Sequence, residues 1–131
     1  MADIAIVKEW IAKAEEDFEF ALVNLKEGRP FIAQICFHFH QSAEKYLKAY
    51  IIAEDLQFRK IHDLPALLKT CTSKDPSLNE IRDDCENLNT FYIDTRYPVH
   101  WPTDFSSKEA KKAFRSAEKI RNFIMKKLDI R

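Results

Sequence analysis

The stretch FHFHQSAEKYLKAY, residues 37–50, decides the fold of this chain. Its apolar side chains recur every three or four residues, which is the spacing of one face of an α-helix. They are Phe39, Ala43, Tyr46, Leu47 and Tyr50. The same spacing runs back to Ile32 and on to Ile51, so the pattern predicts a long helix with one buried face.

Three other segments have an apolar stripe at the same helical spacing. The first stripe is Ile4, Val7, Ile11, Ala14, Phe18, Ala21 and Leu25; the next comprises Leu78, Ile81, Cys85, Leu88 and Phe91; the last is Ala110, Ala113, Phe114, Ala117, Ile120, Ile124 and Leu128. No segment alternates with period two over a useful length, so we expect no strands. The sequence predicts an all-α, up-down bundle of four long helices in a single domain, residues 1–131.

Capping residues divide the chain between these stripes. Gly28, the only glycine, is suited to end the first helix in a left-handed conformation. Asp63 is placed to cap one short connecting helix that reaches about Thr70. Asp75 and Pro76 mark the next start, where Ser77 and Glu80 have the spacing of a capping box. Ser106 and Glu109 have the same spacing before the last helix.

Composition narrows the class of protein. The chain has 131 residues, no net charge and three cysteines that form no CxxC pair. Such cysteine usage suggests a reducing cytoplasm, and the N-terminus has no signal-peptide pattern. No apolar run approaches the length of a membrane span. A Walker loop and a GxGxxG motif are absent from the sequence, and we expect no cofactor.

The terminal segments carry opposite charge. Residues 3–27 contain seven acidic and three basic residues, whereas residues 106–131 contain nine basic and three acidic residues. We expect the two helices to attract each other as neighbours in the bundle, because solvated charged faces are the usual outcome. The alternative is that the basic helix meets phosphate.

The histidines do not indicate a metal site. His38 and His40 are two helical positions apart, about 200° of rotation, and so face opposite ways. His40 and Glu44 are four apart and could share a ligand, but two ligands are too few for zinc. His62, in KIHDLP, is predicted to be a loop residue beside a helix cap. We therefore expect no metal.

The segment DTRYPVHW, residues 94–101, concentrates residues that can carry chemistry. Pro98 disfavours a helical Tyr97, so the preceding helix is predicted to end near Arg96. Tyr92 and Arg96 are four apart, on one face of the last turn. Arg96 could simply stabilise the helix C-terminus. Alternatively, its guanidinium and the imidazole of His100 could handle a phosphodiester.

Taken together, these motifs resemble the HEPN domain, a family of small helical bundles named for higher eukaryotes, prokaryotes and nucleotide binding. The resemblance rests on five parts of the sequence. The first is the set Trp10, Ala14, Asp17 and Phe18 in the first helix, and the others are the stretches FHFHQSAEKYLKAY, KIHDL, YIDTRYP and, at the start of the last helix, SSKEAKKAFRSAEKI. It covers nearly the whole chain. It implies a five-helix fold, a tendency to form homodimers, nucleotide or RNA ligands, and a minimal nucleotidyltransferase as partner.

The resemblance leads to two hypotheses about activity. The first is a nucleotide- or RNA-binding module in a toxin–antitoxin-like system, whose ligand contacts Arg96, Tyr97, Tyr92, Lys111 and Arg115. The second is a metal-independent endoribonuclease in which His100 takes a proton from a ribose 2′-OH and Arg96 stabilises the phosphorane at a dimer cleft. Many HEPN ribonucleases have four to six residues between the Arg and the His, whereas this chain has three. We therefore favour the first hypothesis. A dimeric scaffold without a ligand is a third option.

The aromatic residues around this loop also predict an interface. Phe91, Tyr92, Tyr97 and Trp101 lie within a short stretch, and clustered apolar side chains often mark contact surfaces. We expect them to contribute to a homodimer.

Overall fold

The computed structural model describes residues 2–94 and 106–129, and in this part of the chain every regular element is helical. The elements are α1 (Ile4–Lys26), α2 (Ile32–Ala53), α3 (Leu64–Lys74), a short 3-10 helix (Pro76–Ile81), α4 (Arg82–Asp94) and α5 (Ser107–Leu128). The prediction of an all-α bundle is confirmed. Residues 95–105, which connect α4 to α5, lie outside the described residues.

Most of the predicted caps are present. The side chain of Asp63 accepts a hydrogen bond from the N–H of Ala66 at the start of α3. Ser106 and Glu109 form the expected capping box of α5. Gly28 follows α1 with a φ of 68°, a conformation that side chains with a Cβ rarely adopt.

The prediction that Ser77 and Glu80 form a capping box is wrong. Asp75 is the cap instead, because its carboxylate accepts hydrogen bonds from the N–H and the hydroxyl of Ser77, at 3.0 and 2.7 Å. The turn that follows is a 3-10 helix, and the α-helical geometry begins only at Arg82.

A single cluster of apolar side chains forms the core, with contributions from all the helices. Phe39, Leu47 and Leu88 are completely buried, as expected. Phe114 is only partly buried, but its ring contacts Phe18 and Phe39, with centroids 5.9 and 5.8 Å apart. Ile4, at the start of the first predicted stripe, is 54% exposed, whereas Val7, one turn later, is completely buried.

Helices α4 and α5 run antiparallel with a regular register. Asn87 donates a hydrogen bond to Ser116 at 3.0 Å, and Lys119 pairs with Asp84 at 3.6 Å. Between these two contacts, a step of three residues toward the N-terminus of α4 matches a step of three residues toward the C-terminus of α5. Continuing this register places Tyr92 level with Lys111 along the bundle axis. The end of α4 and the start of α5 therefore lie at the same end of the bundle.

All three cysteines are unpaired and buried. Burial raises the pKa of the Cys36 and Cys71 thiols to about 12 and raises the pKa of Cys85 as well. These side chains act as small apolar residues of the core.

Candidate functional site

The structure describes three of the predicted site residues. Tyr92 lies in the last turn of α4, and Lys111 and Arg115 are exposed in the first half of α5. Arg96, Tyr97 and His100 lie outside the described residues, as does Trp101. Phe91, which we expected at an interface, is instead 4% exposed and belongs to the core, because it points inward from α4.

Four exposed cations occupy the first half of α5. They are Lys108, Lys111, Lys112 and Arg115. None of the four has an ion pair with another described residue, whereas Lys119, further along the helix, pairs with Asp84. Residues three or four apart are neighbours on a helix surface, so the four form one cationic face. This face begins directly after the connection that contains Arg96.

Two histidine rings stack on Tyr92. The centroid of the Tyr92 ring is 5.4 Å from that of His40 on α2, with 26° between the planes. It is 5.0 Å from that of His62, with 23° between the planes. His62 belongs to the joint between α2 and α3. The tyrosine that the sequence assigned to the ligand site therefore joins α4 to two other parts of the chain.

Glu44 connects His62 to a buried ion pair. Its carboxylate accepts a hydrogen bond from Lys48 Nζ at 2.8 Å, and both residues are 5% exposed. The same carboxylate lies 3.0 and 3.1 Å from Nδ1 of His62. Lys48 in turn lies 5.9 Å from the ring centroid of Trp10 and 5.7 Å from that of Phe58. The lysine is thus held by a carboxylate and two aromatic rings.

A surface cavity of about 370 Å³ opens beside this network. Its lining residues are Lys60, Ile61, His62, Asp63, Asn89 and Tyr92. The cavity lies where the joint between α2 and α3 meets the last turns of α4. It therefore lies at the end of the bundle where the α4–α5 connection begins.

His40 and Glu44 do not form a shared ligand site. His40 is completely buried, and burial lowers its pKa despite the opposing influence of Glu44. Neither of its ring nitrogens has a hydrogen-bond partner of good geometry among the described residues. Within residues 2–94 and 106–129, no group of three side chains is arranged to hold a metal ion.

His62 was not predicted from the sequence to be a candidate site residue. We expected a loop residue beside a cap, and it does precede the cap Asp63. Its contacts with Glu44 and Tyr92 join residues 18 and 30 positions apart, so no local spacing indicates them. One signal was present, however. Glu44 and Lys48 flank the apolar stripe of α2, and charged residues there need partners when they become buried.

Comparison with known proteins identifies this helical architecture. The sequence matches the HEPN domain over residues 7–128, and the chain belongs to the HEPN domain family. No curated protein matches it. Within the described part of the chain, no helix has the length and apolarity required to cross a membrane.

The solved structures that share the fold include the following two. The crystal structure of TT1696 from Thermus thermophilus is 27% identical, with a TM-score of 0.81 over 92% of this chain and 97% of that one. The structure of ST0689, described as an archaeal HEPN homologue, is 24% identical, with a TM-score of 0.75 over 93% of this chain and 97% of that one. The second likeness concerns the fold alone.

Proposed function

We propose that this HEPN protein binds nucleotides or RNA and acts as the partner of a minimal nucleotidyltransferase in a toxin–antitoxin-like system. The observation that carries the binding proposal is the cationic face of α5, formed by Lys108, Lys111, Lys112 and Arg115. The partner is proposed from the resemblance of the sequence to the HEPN family.

The arrangement of charge supports a phosphate ligand. Cations that are paired within the protein have part of their field cancelled, whereas these four have no ion pair with another described residue. Glu109 lies among them and interacts with Lys108, and its carboxylate also accepts hydrogen bonds from Ser106, so the face keeps a net positive charge of three. By the register of α4 and α5, Tyr92, whose ring stacks with His40 and His62, is level with Lys111, so the cationic face begins beside this aromatic cluster. Arg96 follows Tyr92 by one helical turn in sequence and adds a planar donor.

Salt-dependent binding tests this proposal. We would measure the affinity of the protein for a fluorescent single-stranded RNA by anisotropy over a range of salt concentrations. The double variant Lys111→Ala, Arg115→Ala should bind more weakly. Its plot of log affinity against log salt should be shallower by about 1.4, since each phosphate contact with a single strand contributes about 0.7.

Lys119→Ala is the matched control, because its ammonium lies on the same helix but pairs with Asp84. Equal salt slopes for the wild type and the double variant would contradict the proposed role of the face. Incubation of the RNA with pure protein in EDTA would show whether the chain is instead a metal-independent endoribonuclease. Co-purification with a nucleotidyltransferase encoded beside it tests the proposed partner.

A further inference from the structure

The contact between His62 and Glu44 determines which nitrogen of the imidazole can exchange a proton. The Glu44 carboxylate, paired with Lys48, acts only as an acceptor, so Nδ1 of His62 must carry the hydrogen between them. The neutral ring is therefore unprotonated at Nε2. Nε2 makes no hydrogen bond with the described residues, and the side chain is 46% exposed. A buried carboxylate thus orients a histidine whose second nitrogen is open to a ligand.

The charges around His62 cancel when the ring is neutral. Lys48 and Glu44 form an ion pair on α2, and the joint contributes one formal positive charge and one formal negative charge to the cavity, from Lys60 and Asp63. His40 lies close to His62, but burial lowers its pKa and keeps it uncharged near neutral pH. Tyr92, on α4, contributes an aromatic ring. Protonation of His62 therefore changes this cluster from neutral to a net charge of plus one.

The cavity also offers hydrogen-bond donors. The side-chain oxygen of Asn89 accepts a hydrogen bond from the N–H of Leu64 at 2.9 Å, which leaves the Asn89 amide NH₂ as a donor. That NH₂ group has no partner among the described residues. The Lys60 ammonium is exposed on the same cavity. The first N–H groups of α3 are already bonded to Asn89 and Asp63, so side chains, and not the helix terminus, supply the donors.

We propose that His62, Lys60 and Asn89 form a phosphate-binding site at the joint between α2 and α3, and that this site binds when His62 is protonated. The ligand is the phosphate of a nucleotide or of the RNA backbone. The inference rests on the proposed function and locates one phosphate contact of that ligand away from α5. Glu44 is a positioning residue, because it acts on the ligand only through His62.

Two measurements test the site. The first follows the imidazole nitrogens of the wild-type protein by NMR during titration with inorganic phosphate, AMP and a short single-stranded RNA. We expect the His62 signals to move with each ligand. The second measures RNA affinity by anisotropy between pH 5.5 and 8, where the charge of a phosphodiester stays constant. Affinity should be higher at pH 5.5 than at pH 8, because only the protonated ring adds a positive charge to the site.

His62→Gln should weaken RNA binding about tenfold at pH 5.5, the effect of losing one charge-assisted hydrogen bond, and should remove most of the pH dependence. Lys60→Ala should weaken binding but keep the pH dependence. His38→Gln is the matched control, since His38 lies on α2 and contacts Gln34 and Phe20 instead of the cavity. It should leave both the affinity and the pH dependence unchanged.

The outcomes separate this site from the proposed function. RNA binding that keeps its affinity and pH dependence in His62→Gln would overturn the site and leave the proposed function in place. Movement of the His62 signals with inorganic phosphate, without binding of AMP or RNA, would support the site and overturn the proposed function. If the His62 signals of the wild-type protein stay fixed with all three ligands, the proposed site is overturned. This result does not depend on the variants, so it holds even if a variant fails to fold.

Discussion

The carboxylate of Glu15 on α1 accepts two hydrogen bonds from the guanidinium of Arg121 on α5, at 2.7 and 3.1 Å. The hydroxyl of Tyr46 on α2 donates to the same carboxylate. One acid therefore joins three helices, and it comes from the acidic segment whereas the arginine comes from the basic one. The expected attraction between the two terminal helices is confirmed at this pair.

We predict that Arg121→Ala lowers the free energy of unfolding by about 1 kcal/mol, a value reduced for the partial exposure of both side chains. Burial alone would raise the pKa of Glu15, but hydrogen bonds from Arg121 and Tyr46 lower it below its ordinary value of 4.5. The variant should therefore show its full destabilisation of about 1 kcal/mol above about pH 5. The destabilisation should become smaller as the pH falls below 4.5, the ordinary pKa of a glutamate.

Urea unfolding at several pH values measures this loss. Lys119→Ala is the control, because its pair with Asp84 is longer, at 3.6 Å, and its side chain is 52% exposed. It should cost less than about 0.5 kcal/mol. If both variants lose the same free energy of unfolding, the shorter hydrogen bonds between Glu15 and Arg121 do not stabilise the protein more than the Lys119–Asp84 pair does.

Glu44→Gln should destabilise the protein by about 3 kcal/mol near neutral pH, since it leaves the ammonium of the 5% exposed Lys48 without a counter-ion. The double variant Glu44→Gln, Lys48→Met should regain much of that stability, because the unpaired charge is gone. Glu16→Gln is the control on α1, where the side chain is 69% exposed. Chemical denaturation compares the four proteins, and a double variant as unstable as the single one would contradict this account.

Leu47→Ala should cost about 2–5 kcal/mol, the usual range for truncating a buried leucine. The Leu47 side chain is completely buried in the core. Val23→Ala, at a position that is 45% exposed, serves as the control and should cost far less. A loss below about 0.5 kcal/mol for Leu47→Ala in denaturant melts is incompatible with a close-packed core around α2.

The sequence was sufficient to predict the helices and most of their caps, because these depend on neighbouring residues. The stripe of α2 predicted the buried face that contains Phe39 and Leu47, and Gly28 predicted the end of α1. Asp75 was also correctly identified as a helix start. The 3-10 helix that follows was not predicted. The spacing of Ser77 and Glu80 suggested that they would pair, but spacing alone cannot show that the Ser77 hydroxyl pairs with Asp75 instead.

The candidate site was less predictable, since its contacts join distant parts of the chain. Tyr92, Lys111 and Arg115 were proposed from the family resemblance and from charge, and their role in binding stays a prediction. His62 was not, because its position beside Glu44 depends on how the α2–α3 joint folds back over α2. Phe91 was misplaced for a similar reason. Its aromatic neighbours in sequence suggested a surface, whereas the helical stripe to which it belongs faces the core.

Arg96→Ala should weaken RNA or nucleotide binding and leave the melting temperature almost unchanged, since we predict that Arg96 contacts the ligand at the end of α4. His100→Ala tests the alternative activity: loss of cleavage with binding retained would make His100 a general base. Anisotropy measures binding, gel analysis of RNA in EDTA measures cleavage, and thermal melts measure the melting temperature. If Arg96→Ala unfolds the protein while the folded fraction keeps its affinity, Arg96 is a structural cap.

We predict a homodimer in solution. The sequence indicated an interface around Tyr92, Tyr97 and Trp101, of which the structure describes only Tyr92. Phe20 on α1 and Phe31 just before α2, 49% and 55% exposed, form a second candidate contact surface. Phe20→Ser combined with Phe31→Ser should shift the protein toward monomer. The control is Ile4→Ser with Ile6→Ser, at the other end of α1. Light scattering coupled to size-exclusion chromatography decides, and a wild-type monomer at tens of micromolar would refute the prediction.

The burial of Cys36, Cys71 and Cys85 has a practical consequence for studying this molecule. Thiol-reactive labels need an accessible thiolate, and burial both covers these three sulfurs and raises their pKa. A cysteine introduced at exposed Lys112 should therefore be the one that reacts with a maleimide dye in the folded protein. A fluorophore or spin probe on the cationic face of α5 then needs no prior removal of the native cysteines from the core.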